Sequence, residues 1–119
     1  MKKLLATASL ALCLALPASA QSIGGKYTVE GTNLDGSAYT GTAEVTLTSD
    51  TTCTIHWDTN GATSDGICAR NDDAFAAAHI TDGEVGLIIY KVADDGSMDG
   101  LWTIAGKEGN GTEKLTPAQ

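Results

Sequence analysis

The chain has 119 residues, with seven basic against fifteen acidic side chains and a formal net charge of −8. A surface so rich in carboxylates repels phosphate backbones and anionic bilayers, so neither nucleic acid nor a membrane surface is an expected partner. The length allows a single domain with a small core, and the charge favours a soluble monomer.

The N-terminus has the layout of a secretory leader. Lys2 and Lys3 supply positive charge, Leu4 to Leu16 form an uncharged apolar run, and Pro17 precedes the small-residue stretch Ala18-Ser19-Ala20. The run is about 13 residues, short of the roughly 20 that span a bilayer. Cys13 lies inside it behind Leu12, where lipid attachment would want a small residue. We read residues 1–20 as a signal peptide cleaved after Ala20, followed by one domain over 21–119. The product is then periplasmic or extracellular. The leader holds two of the seven basic residues and none of the acidic ones, leaving five against fifteen, a net −10.

Beyond the leader the chain alternates β-branched or aromatic residues with polar ones over short runs. Turn dipeptides punctuate it: Asp35-Gly36, Asn60-Gly61, Asp82-Gly83, Asp95-Gly96 and Asn110-Gly111. This pattern predicts an all-β antiparallel meander of eight strands, near 25–33, 37–48, 52–59, 62–70, 74–80, 84–92, 97–105 and 111–116, closed into a small barrel. In the first hairpin, a three-residue loop Leu34-Asp35-Gly36 aligns Tyr27, Val29 and Gly31 with Ala43, Gly41 and Tyr39. A turn near Ser49 to Thr51 carries the same face through Val45 and Leu47 to Cys53, Ile55 and Trp57. That face is apolar, whereas the opposite one is polar: Thr28, Glu30, Thr40, Thr42, Glu44, Thr46, Thr54 and His56.

The third and fourth strands test themselves. Asn60-Gly61 is the preferred pair for a type I′ turn, which requires φ > 0 at both positions. Counting outward from Thr59 and Ala62 sets Trp57 opposite Ser64, Ile55 opposite Gly66 and Cys53 opposite Cys68. These are the two cysteines left after the leader, and an oxidising compartment makes them a disulfide. The bridge closes a loop of about 16 residues, worth roughly 3 kcal/mol. The same register sets His56 opposite Asp65, which we read as a solvent-facing polar pair.

The second half reads less cleanly. Ala74 to His79 is assigned to a strand, with a short helix capped by Asn71, Asp72 or Asp73 as the alternative. His79 is read as a strand-end histidine. Residues 84–92 are apolar on both faces: Val85, Leu87 and Ile89 on one, Ile88, Tyr90 and Val92 on the other. Such a strand is covered twice or lines an interface.

No nucleophile elbow, H-E-x-x-H, P-loop or dinucleotide fingerprint occurs, so the chain is expected to be non-enzymatic and without a cofactor. The acidic turns Asp72-Asp73, Asp82 with Glu84, and Asp94-Asp95 with Asp99 do not have calcium-loop spacing, and no metal site is assigned. Tyr39, Trp57 and Trp102 are the candidate ligand-binding residues. An eight-stranded barrel either fills with side chains or holds one small ligand, and these aromatics would sit at its mouth. The expected partner is a small hydrophobic ligand, or alternatively a protein.

Two stretches carry a resemblance. Gly31-Thr32-Asn33-Leu34-Asp35-Gly36-Ser37-Ala38-Tyr39-Thr40-Gly41, together with Asp99-Gly100-Leu101-Trp102 and Gly111-Thr112-Glu113-Lys114-Leu115-Thr116-Pro117, resembles a signature of short exported bacterial β-domain proteins of unassigned function. Some members of that family are labelled fibronectin-binding proteins. The resemblance covers most of the chain beyond the leader and implies secretion and a shared fold. The strand layout is also similar to avidin-like and lipocalin-like barrels, and the size to small disulfide-bearing barrel inhibitors of secreted proteases.

Overall fold

The computed structural model describes residues 22–118; the expected leader and its expected cleavage site lie outside the described residues. Eight strands follow in chain order: β1 (Gly25–Thr32), β2 (Ala38–Leu47), β3 (Thr52–Thr59), β4 (Ala62–Asn71), β5 (Ala74–Thr81), β6 (Glu84–Val92), β7 (Met98–Ile104) and β8 (Gly111–Pro117). Each pairs antiparallel with its successor, and β8 returns to pair with β1, so the sheet closes. Closure removes the free edges that an open sheet of short strands would expose.

The registers follow from turn chemistry. Asn60 and Gly61 take φ of 53° and 80°, and Asp82 and Gly83 take 52° and 78°, the left-handed pairs of type I′ hairpins. The first of these turns pairs Thr59 with Ala62 and carries the register down to Cys53 and Cys68. The two cysteines are bonded, with Cα atoms 4.9 Å apart. The first hairpin pairs Gly31 with Tyr39 and Tyr27 with Ala43, as the alternation predicts. Segment 74–79 is strand, not helix. Phe75 and Ala77 point inward and are buried, and the segment pairs with both β4 and β6, which satisfies its backbone on each side. Alanine's helix propensity is weak beside two rows of ladder bonds.

One turn differs from expectation. Asn110-Gly111 is not the tip of the last hairpin. The reversal is made by residues 105–110, where Gly106 and Gly109 take φ of 83° and 89°. Gly111 begins β8 facing inward, opposite Trp102. A methyl there would lie 2.3 Å from Trp102 Cε2, so the glycine is needed for space. The same device recurs around the wall. Gly31 faces Tyr39, Gly86 faces His79 and Gly100 faces Tyr90, each with a ring lying where a Cβ would be. A ring laid over a cross-strand glycine follows the curved wall and leaves less of its bulk in the lumen.

The core fills one end of the barrel. Val29, Ile55, Phe75, Tyr90, Met98 and Leu115 are essentially fully buried. The Phe75 and Tyr90 rings stack at 5.4 Å between centroids. Ile23, just before β1, folds across this end, and its carbonyl accepts a hydrogen bond from the Tyr27 hydroxyl. The outer surface is divided. On β1–β3 it carries the predicted threonines and charges, including Thr28, Glu30, Thr42, Glu44 and His56, all exposed. On β4–β7 it carries Ile67, Ile80, Val85, Leu87, Ile89 and Leu101, each roughly half exposed or more. The two faces of β6 are thus explained: Ile88, Tyr90 and Val92 line the interior, and Val85, Leu87 and Ile89 face out. Among the described residues no helix is long and apolar enough to cross a membrane.

Candidate functional site

The other end is open. A cavity of about 400 Å³ lies at the mouth formed by the β1–β2, β3–β4, β5–β6 and β7–β8 turns. Tyr39, Trp57, Trp102 and Ile88 form much of its wall, Thr59, Asn60 and Asp82 belong to its rim, and Glu113 and His79 complete the lining. The three aromatics named from sequence therefore converge on one space from β2, β3 and β7. Tyr39 and Trp102 meet edge to face at 6.3 Å. Trp102 is only partly buried and donates its indole N–H to the Thr112 carbonyl at 3.2 Å. Trp57 is 3% exposed, so it belongs to the core as well as to the lining.

The side chain on which the site is organised was not singled out from sequence. Glu113, on β8, is 4% exposed inside the barrel. A buried carboxylate is costly unless donors replace its lost water. Three donors do so. The Tyr39 hydroxyl donates to Oε1 at 2.9 Å, the Trp57 indole N–H donates to Oε2 at 3.1 Å, and the Tyr90 hydroxyl also donates to Oε2. Strands β2, β3, β6 and β8 are thereby tied across the lumen by one residue. No buried side-chain polar atom among the described residues lacks a partner. The network also acts on its donors. Burial, and then the charge of Glu113, hold the Tyr39 and Tyr90 hydroxyls well above the usual phenol range, so they stay protonated and donating.

His79 is the second residue not anticipated at the site. It points inward from β5, half-buried, edge to face with Trp57 at 5.4 Å, with Nδ1 3.0 Å from the Thr81 hydroxyl. Burial lowers its pKa, with the charge of Glu113 opposing, so it is neutral near pH 7. A sequence signal existed for both. His79 shares the inward parity of Phe75 and Ala77, and Glu113 that of Gly111 and Leu115. By contrast His56 and Asp65 face solvent as expected, Nδ1 to Oδ1 at 2.8 Å, with side chains 49% and 80% exposed and no third partner in the contact. The described residues hold no cluster of three or more histidine, cysteine, aspartate or glutamate side chains suited to a metal.

These features define a class: a small, closed, eight-stranded antiparallel barrel with one solid end and one hollow end. Solved structures resemble it in fold. A de novo designed fluorescence-activating β-barrel is similar at 16% identity, with a TM-score of 0.66, covering 83% of this chain and 96% of the other. A redesigned barrel, mFAP1, solved bound to DFHBI, is similar at 18% identity and a TM-score of 0.66, covering 79% and 94%. A crystal structure of a variant of the fluorescent protein UnaG is similar at 9% identity and a TM-score of 0.53, covering 81% and 96%. At these identities the likeness is one of fold. No protein-family model and no curated protein sequence matches the chain.

Proposed function

We propose that this chain is an exported, non-enzymatic barrel that binds a small amphipathic molecule at its open mouth, in the periplasm or outside the cell. One observation carries the reading: a cavity of about 400 Å³, walled by Tyr39, Trp57, Trp102 and Ile88, lies over a buried polar anchor, Glu113. A concave, mostly apolar space of this size with a few placed polar groups is the usual form of a small-molecule site. The designed barrel bound to DFHBI supports it by architecture alone. Export rests on the leader pattern and agrees with the Cys53–Cys68 bond, which persists in oxidising compartments. Native mass spectrometry of protein recovered from the periplasm, followed by titration with the neutral fluorogenic probe N-phenyl-1-naphthylamine, tests the reading. A co-purifying mass lost on denaturation, or saturable binding of one probe that Trp102→Ala weakens, is expected. A bare chain that takes up no probe overturns it.

A second reading has an observation of its own. The exposed Ile67, Leu87, Ile89 and Leu101 make a contiguous outer wall on a chain otherwise rich in charge, and such patches mark contact surfaces. On that reading the chain is a protein-binding module, such as an adhesive surface protein or a secreted-protease inhibitor. It predicts an association that Leu87→Lys abolishes. A chain that stays monomeric at high concentration and is recovered alone counts against it.

A further inference from the structure

The charge of the mouth narrows what it takes. The charged side chains of the cavity lining are Asp82, Glu84 and Glu113; no lysine or arginine among the described residues belongs to it. The histidine there, His79, is neutral near pH 7. Lys107, on the β7–β8 connection, already faces Glu84 with Nζ to Oε1 at 3.5 Å. The anchor is also not fully engaged. A carboxylate offers about four acceptor positions. Glu113 Oε2 takes two donors, Trp57 and Tyr90, whereas Oε1 takes only Tyr39. The same lining holds Tyr39, Trp57 and Trp102, aromatic rings whose faces attract a cation through their π-electrons. An anion entering the same space would meet Glu113 with little water between, where like charges repel far more strongly than in bulk.

Resting on the reading of the mouth as a small-molecule site, we propose that its ligand is a cation: a flat or cyclic molecule bearing a protonated amine whose N–H donates to Glu113 Oε1 while its ring lies against Trp102 and Tyr39. Carboxylate-bearing amphiphiles such as fatty acids are disfavoured by the same charges. The lining thus assigns Asp82, with Glu84 partly offset by Lys107, to attracting the ligand and Glu113 to holding it.

Three probes of one ring and different charge test this by isothermal titration calorimetry: 1-naphthylmethylamine, 1-naphthalenemethanol and 1-naphthoate. The amine is expected to bind at least about tenfold more tightly than the acid, equivalent to ~1.4 kcal/mol, with the alcohol between. Glu113→Gln is expected to bring amine and acid within about threefold of each other. Should that variant not fold, Asp82→Asn with Glu84→Gln leaves the buried network whole, and the preference is then expected to shrink and to lose its dependence on salt. If the alcohol binds and the acid binds as well as the amine, the mouth is a ligand site but the charge assignment is wrong. If none of the three binds, the reading of the mouth as a ligand site fails, and this inference with it.

Discussion

Asp35-Gly36-Ser37 and Asp95-Gly96-Ser97 build the same turn at opposite ends of the barrel. In each, the serine backbone N–H donates to the aspartate Oδ1 at 2.9 Å and the serine hydroxyl donates to it at 2.6 Å. In each, the glycine is left-handed, with φ of 86° and 85°. The surroundings are unlike. Ser97 is 8% exposed and leads into Met98, which is fully buried and pairs with Val92 at the solid end. Ser37 is exposed and leads through Ala38 to Tyr39, which leans over Gly31 at the hollow end. Turn chemistry sets where the chain reverses. Whether an end is sealed depends on the inward residues one level below, and on a segment from outside the sheet that covers it. Ile23 covers one end; nothing among the described residues covers the other.

The comparison breaks most readily at the junction between the two ends. Glu113→Ala leaves Trp57 and Tyr90 with two buried donors and no acceptor, at about 1–3 kcal/mol for each unsatisfied group, while the Tyr39 hydroxyl keeps the Thr112 carbonyl at 3.2 Å. We expect a loss of about 4 kcal/mol in urea unfolding, a large share of the roughly 5–15 kcal/mol that holds a domain folded. A loss below about 1 kcal/mol would mean that water replaces the carboxylate and that the lumen is wet to its centre.

The next effect separates the ends directly. Phe75→Ala, at the solid end, is expected to cost about 3–5 kcal/mol. Trp102→Ala, at the mouth, is expected to cost half that or less, because its ring is only partly withdrawn from water. Equal losses would make the mouth part of the core and undo the distinction. Removing the Cys53–Cys68 bond by a double alanine substitution should cost roughly 3 kcal/mol through the unfolded chain, seen as a lower Tm with an unchanged native spectrum.

A smaller effect depends on pH. His79 has its pKa lowered by burial, so as pH falls through about 6.5 the unfolded chain takes up this proton before the folded one. Its contribution is therefore intact above that pH and declines as pH drops toward the folded value. His79→Gln should flatten the difference in urea midpoint between neutral and about pH 5, relative to the parent chain. An identical slope in both would place the sensitivity elsewhere. The least change is expected at His56→Ala, below about 1 kcal/mol, because that pair with Asp65 stands in water.

Much of this was legible in order along the chain. The eight strands, the Cys53–Cys68 pairing and the exposure of His56 all follow from local rules, since a two-residue turn fixes the register of everything above it and alternation fixes each face. Tyr39, Trp57 and Trp102 could be named because aromatics at inward parity are few. Glu113 and His79 were harder. Their parity is local, but their meaning depends on which strand closes against which, and β8 pairs with β1 between residues 80 to 90 positions apart in sequence. Only when the sheet closes does a carboxylate on the last strand face hydroxyls from β2 and β6 and an indole from β3. Local sequence therefore determined the wall, its registers and its covalent staple, because those interactions connect neighbours. The tertiary structure decided which end is hollow, what stands at its floor and what charge it presents, because those are sums over strands that meet only when the barrel is shut.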